Sequence, residues 1–204
     1  MPKVIIGIAS GSFVNTEFAV SLADITAYLS PVYDYAGLIN IQGSVIDDAR
    51  NQIARQFLMY DADYLVMFDT DLSFDISTID KLVKMLQDTD YKLGSGWYNI
   101  RVGNTKVPTI FHFLDDTTSK ATFIHEDTPK YIQADAGPSG CMIIHRSVIE
   151  AMREVDPFVY FKFENKEGIL VTEDIYFCKQ AKKLGFDFII SRDTHCTHYK
   201  VQAL

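Results

Sequence analysis

Lys3 to Ala9 is a run of β-branched and apolar residues that stops at Ser10-Gly11-Ser12, the pattern of a buried strand ending in a tight polar loop. From Asn15 to Leu29 the apolar spacing becomes helical, and Pro31 is expected to break that helix. Tyr33 to Ile41 then predicts a second strand, closed by Gln42-Gly43-Ser44. Strand, helix, strand in this order predicts the opening of a parallel sheet.

Ser44 followed by Asp47 resembles a capping box with Asp in place of Glu, and predicts a helix to about Tyr60. Ile46, Ile53, Ala54 and Phe57 form its apolar stripe, and Arg50 falls inside that stripe. An arginine there either snorkels past its neighbours or meets a carboxylate or phosphate. Tyr64 to Phe68 predicts the next buried strand, running into Asp69-Thr70-Asp71. Asp75 is expected to cap a helix that turns Ile76, Ile79, Leu82, Val83 and Leu86 inward.

Shorter strand-like pieces follow at Tyr91 to Tyr98, Thr109 to Leu114, Ala121 to Ile124 and Tyr131 to Ala136, with Asp115-Asp116-Thr117-Thr118 as a hairpin connection. Gly137-Pro138-Ser139-Gly140 is a turn, Cys141 to Ile144 an apolar strand, and Arg146 to Val155 a helix. Phe158 to Phe163 reads as a further strand and Lys162 to Gly168 as a mobile polar loop. Thr172 is placed to cap a helix from Glu173 to about Leu184, Gly185 to terminate it, and Phe186 to Ile190 to form the last strand.

The chain has 204 residues, enough for one globular domain whose core needs no disulfide or structural metal. Its 27 acidic and 19 basic side chains give a formal charge of −8, with no run of Lys or Arg. That argues against a sequence-independent grip on nucleic acid or an anionic membrane. No apolar run is long enough for membrane insertion, and three cysteines without CxxC spacing suit a reducing compartment, so a cytoplasmic location is expected.

Three Asp-x-Asp triplets occur, Asp61/Asp63, Asp69/Asp71 and Asp88/Asp90, and only Asp69-Thr70-Asp71 follows a buried strand directly. This puts it at the carboxyl edge of a parallel sheet, where open α/β sheets bind ligands. Two carboxylates there require a cation or protonation, and a hard divalent metal bridging to a diphosphate answers that need; alternatively they belong to an ordinary capped turn. Arg50, at the same edge, could reach Asp69 or a nucleotide. Ser10 and Ser12 could meet a base or ribose there.

These residues resemble the metal-dependent nucleotide-sugar glycosyltransferases of the GT-A fold, especially the family 2 type. The resemblance is carried by Ala49-Arg50-Asn51, Asp69-Thr70-Asp71, Gly137 to Arg146 and Thr172-Glu173-Asp174, with Gly185 and a late histidine continuing it over nearly the whole chain. It implies an α/β fold with a mostly parallel central sheet flanked by helices and a small antiparallel region. It also implies a single domain over 1–204, with a nucleotide-binding half (1–90) and a donor-sugar and acceptor half (91–204). Asp71, with Asp69 and a late histidine, His198 rather than His195, would bind Mn²⁺ or Mg²⁺. Glu173-Asp174 resembles the catalytic base motif, Asp174 taking the proton from an acceptor hydroxyl. Gly137 and Gly140 would let backbone approach the donor sugar, and Trp97 would stack on it or serve as a core residue.

The implied activity is transfer of a hexose from a UDP-sugar to a glycan or other hydroxyl acceptor, with inversion. Two departures stand out: Asn40-Ile41-Gln42 replaces the acidic pair that often binds uracil, and the sequence given stops soon after His198, as in a compact enzyme or the first domain of a longer polypeptide. Three other readings compete. A haloacid-dehalogenase-like phosphatase would use Asp69 as nucleophile and Asp71 as acid/base, but its motif normally ends the first strand. A nucleotide-sugar-binding module would lack turnover. A zinc site of His195, Cys196 and His198 would want a fourth ligand.

Overall fold

The computed structural model describes residues 2–199, apart from the side chains of residues 30–32. In chain order the elements are β1 (Lys3–Ser10), α1 (Thr16–Val32), β2 (Asp34–Gln42), α2 (Ile46–Phe57), β3 (Tyr64–Asp69), β4 (Leu72–Ser73), α3 (Thr78–Gln87) and β5 (Leu93–Trp97). Then come β6 (Asn99–Val102), β7 (Thr105–Pro108), β8 (Phe111–Phe113), β9 (Ser119–Ala121), β10 (Tyr131–Ala134), β11 (Cys141–His145) and α4 (Arg146–Val155). The last are β12 (Glu164–Lys166), β13 (Ile169–Val171), α5 (Glu173–Lys183), β14 (Phe188–His195) and β15 (Thr197–His198).

The central sheet has the order β10-β14-β5-β11-β3-β1-β2. β1, β2, β3, β5 and β14 run one way and β10 and β11 the other, so the sheet is mixed but mostly parallel in direction. Val4, Ile6, Ile8, Val66 and Phe68 pack against α1 and α3 on one face. Ile5, Leu65, Met67, Met142 and Ile144 pack against α2, α4 and α5 on the other. Burial on both faces is why these strands are continuous apolar runs in the sequence. Four small two-stranded pairings, β4–β15, β6–β7, β8–β9 and β12–β13, surround the sheet.

Several expectations are corrected. The first helix runs through Pro31 to Val32, because a proline in the last turn removes only one hydrogen bond. No capping box forms at Ser44: Val45 is the N-cap, Asp47 Oδ1 accepts from the Asp48 N–H, and Ser44 Oγ accepts from Gln52. Asp75 does not cap α3 directly; its Oδ1 accepts from the Ser77 N–H at 2.8 Å, the helix begins at Thr78, and Ile76 is left 46% exposed. Thr172 occupies the N-cap position of α5, but its hydroxyl donates to Asp174 and accepts nothing from the helix backbone.

Phe158 to Phe163 is not a strand. Asn51, buried on α2, accepts at Oδ1 from the N–H groups of Tyr160 and Phe161, both at 2.8 Å, and donates from Nδ2 to the Phe161 carbonyl at 2.8 Å. One side chain therefore satisfies the backbone groups that a strand neighbour would otherwise have to meet. Lys162 to Gly168 contains ordered structure rather than a plain loop: β12 and β13 form a hairpin whose turn residues Glu167 and Gly168 have φ of 53° and 85°.

Candidate active site

β3 delivers Asp69 to the carboxyl edge of the sheet, and β11, antiparallel beside it, begins just after Gly140 at the same edge. The Asp69 N–H donates to the Gly140 carbonyl at 3.1 Å. A Cβ on Gly140 would stand 2.5 Å from Asp69 Oδ2 and 3.0 Å from the Tyr98 hydroxyl, so only glycine permits this approach. Gly137 has a different reason. A Cβ there would meet Ser95 Oγ at 2.5 Å and the side chains of Ile190 and Phe188 at 2.7 Å, which gives Gly137 a place in core packing.

Arg50 is 4% exposed and is held between two carboxylates. Its Nη2 donates to Asp69 Oδ1 at 2.7 Å, and its Nη1 donates to Glu173, which begins α5 and is itself 7% exposed. The stripe position of Arg50 is thus explained by a buried bridge tying α2, β3 and α5 together. Burial opposes the guanidinium's charge, but Asp69, Glu173 and Asp174 outweigh it and raise its pKa. Burial raises the Glu173 carboxyl above its ordinary range; Arg50 pulls it down while Asp174 and Asp69 push it up. Glu173 is therefore engaged with Arg50 and is not presented to an acceptor.

Asp174 is half-buried in the first turn of α5. Its Oδ1 accepts from Thr172 Oγ1 and from the Ile175 N–H, while Oδ2 has no hydrogen bond from any described residue. Such a carboxylate is oriented through one oxygen and open at the other.

Asp71 meets His198. β15 pairs antiparallel with β4, matching His198 with Leu72, and the Tyr199 N–H donates to the Asp71 carbonyl at 2.8 Å. His198 Nε2 then lies 3.0 Å from Asp71 Oδ2, with their side chains 18% and 42% exposed. Burial raises the Asp71 carboxyl, with His198 opposing. Thr70, between the two aspartates, accepts at its carbonyl from the Asn15 N–H at 3.1 Å, which ties the loop after β1 to the Asp-Thr-Asp turn. Among the described residues no three His, Cys, Asp or Glu side chains converge closely enough to hold an ion by themselves.

Ser10 ends β1 at the same edge and accepts at its carbonyl from the Gly43 N–H at 3.1 Å, and Ser12 is exposed in the following loop. Trp97 ends β5 there, but its indole N–H donates to the Arg192 carbonyl at 2.8 Å and its ring packs 4.3 Å from that of His195. These contacts make Trp97 part of the wall between β5 and β14. With His195 against Trp97 and Cys196 buried in the cluster on the opposite face, the His195-Cys196-His198 zinc set does not assemble.

Sequence reasoning missed Tyr98. It directly follows Trp97 at the carboxyl end of β5, is 8% exposed, and packs its ring 5.0 Å from that of His198. Burial and the nearby Asp69 and Asp174 carboxylates push its phenol well above the ordinary value, so it stays neutral. The available signal was its place at the end of a parallel strand.

No protein-family model and no curated protein sequence matches the chain. Solved structures do. The crystal structure of A197 from STIV superimposes with a TM-score of 0.63 at 16% identity, covering 97% of this chain and 86% of that one. GalNAc-T7, crystallised with UDP, GalNAc and Mn²⁺, superimposes with a TM-score of 0.59 at 11% identity over 98% of this chain. The chain has a GT-A-like fold. It spans 44% of the GalNAc-T7 chain, and the likeness at these identities concerns the fold. Among the described residues no helix is long and apolar enough to cross a membrane.

Proposed function

We propose that the protein is a glycosyltransferase that moves a hexose from a UDP-sugar to an acceptor hydroxyl. The observation that carries this reading is the 3.0 Å contact between Asp71 and His198, residues 127 apart in sequence, beside Asp69 at the carboxyl edge. Asp69, Glu173 and Asp174 surround the single guanidinium of Arg50, and Asp71 lies beside Asp69; this surplus of negative charge fits a bound cation. A carboxylate with an imidazole suits Mn²⁺, and Mg²⁺ is the other candidate. Asp71 and His198 would hold the ion beside the donor's diphosphate. Bound there, it would neutralise charge developing on the leaving diphosphate.

The protein's own groups supply the rest. Arg50 locks Asp69 to α5, so the metal-side turn and the turn bearing Asp174 keep one relative geometry. Asp174, open at Oδ2, takes the proton from the attacking acceptor hydroxyl in a single displacement that inverts the anomeric carbon. Gly140 keeps the backbone beside Asp69 free of side chain. Ser10 and Ser12 lie where a base or ribose would rest. The phosphatase reading loses support because Asp69, its required nucleophile, is engaged by Arg50. Asp174→Asn tests the mechanism: transfer from UDP-hexose should fall by roughly 10²- to 10⁴-fold with UDP affinity unchanged. Undiminished transfer would remove Asp174 from the role of base.

A further inference from the structure

We infer that the Tyr98 hydroxyl is a hydrogen-bond donor to the diphosphate of the nucleotide sugar, a binding residue that no sequence motif marks. This rests on the nucleotide-sugar reading of the same site. Tyr98 is only 8% exposed as a residue, yet its hydroxyl is not one of the buried side-chain atoms left without a partner, so the ring is packed while the hydroxyl reaches solvent and is available to a ligand. Here the hydrogen bonds of Tyr98 to described residues are all made by its backbone: its N–H donates to Thr109 Oγ1 at 3.1 Å, and its carbonyl accepts from the same hydroxyl at 3.0 Å. The hydroxyl has no partner among the described residues.

Its position is fixed on three sides. Thr109 clamps the backbone, the His198 ring lies against the phenol ring, and the hydroxyl is 3.0 Å from the point where a Gly140 side chain would begin, itself 2.5 Å from Asp69 Oδ2. The charged groups beside it are otherwise engaged. Arg50 is committed to Asp69 and Glu173, His198 Nε2 faces Asp71, and the aspartates only accept. A diphosphate entering beside Asp71 brings acceptor oxygens to a place where the Asp69 and Asp71 carboxylates only accept, and Tyr98 offers a rigid neutral donor there.

Tyr98→Phe removes one oxygen and keeps the ring against His198. The expected result, by calorimetric titration of UDP with Mn²⁺ present, is affinity weakened roughly 10- to 100-fold, the range for a hydrogen bond to a charged group. The melting temperature without ligand should be unchanged or higher, since no described protein partner is lost. Equal UDP affinity in Tyr98→Phe and wild type would overturn the inference while leaving the transferase reading intact. A weakened affinity accompanied by a melting temperature several degrees lower would also overturn it, because the hydroxyl would then be a structural contact. If wild type itself binds no nucleoside diphosphate, the reading beneath the inference fails first.

Discussion

Replacing Arg50 by methionine isolates the energetic core of the site. The substitution keeps an unbranched apolar stem in place of the arginine's methylenes and removes the charge that holds two carboxylates. Glu173 is the more buried partner, its side chain 9% exposed against 27% for Asp69, so most of the loss comes from leaving Glu173 uncompensated in the interior. Removing one partner of a buried pair costs about 3–5 kcal/mol. For a chain of this length that lowers the melting temperature by roughly 6–20 °C.

The pH dependence has a definite sign. Without Arg50, burial and the nearby Asp174 and Asp69 carboxylates raise the folded-state pKa of Glu173 further above its ordinary 4.5. A carboxyl raised on folding disfavours the native state at pH values above both pKa values, and the penalty vanishes as pH falls through the raised value. The deficit of Arg50→Met relative to wild type, measured by urea denaturation, should be largest at pH 8 and shrink toward pH 5. Pairing it with Glu173→Leu should recover much of the loss, since an apolar pair needs no counter-charge. A loss under about 1 kcal/mol at pH 8, where a broken buried pair should cost several times more, would refute this reasoning, as would a deficit that grows on acidification.

Gly140→Ala places a methyl 2.5 Å from Asp69 Oδ2, so Asp69 must move; UDP affinity should fall well before the fold is lost, and calorimetry showing wild-type affinity would contradict the close approach. Asp135 offers a control away from the site. Burial pushes its carboxyl up, but Lys182 and the Phe113 N–H pull it down further, leaving it below 3.8. Its contribution is therefore present above pH 3.8 and lost as pH falls through the depressed value. Asp135→Asn should melt below wild type at pH 7 and approach it in acid, and a difference that stays constant with pH would contradict the assignment.

β1, β3 and β11 were legible because burial on both faces makes them unbroken apolar runs, and α4 because its boundaries coincide with the end of β11 and with Asp156. The hairpins β6–β7 and β12–β13 were not, since their strands are only three or four residues long, too short for a periodic pattern to stand out. Arg50 announced a buried partner by its place in an apolar stripe, yet nothing local could say that Glu173, 123 residues away, would share it with Asp69. Asp71 and His198 were legible as a pair only through resemblance, because their meeting depends on the short β4–β15 pairing. Tyr98 escaped notice because its significance lies in an unpartnered hydroxyl, which only three-dimensional contacts reveal.

A nucleoside diphosphate site that requires a divalent metal lies at the centre of the proposed function. Thermal unfolding with UDP, GDP, CDP and ADP, each with Mn²⁺ and with chelator, tests it most directly. A ligand at a hundred times its dissociation constant stabilises by about 2.7 kcal/mol, which raises the melting point of a chain this size by roughly 5–10 °C. A rise for UDP with Mn²⁺ that disappears on chelation is predicted. Absence of a rise with every diphosphate, metal present, would contradict it.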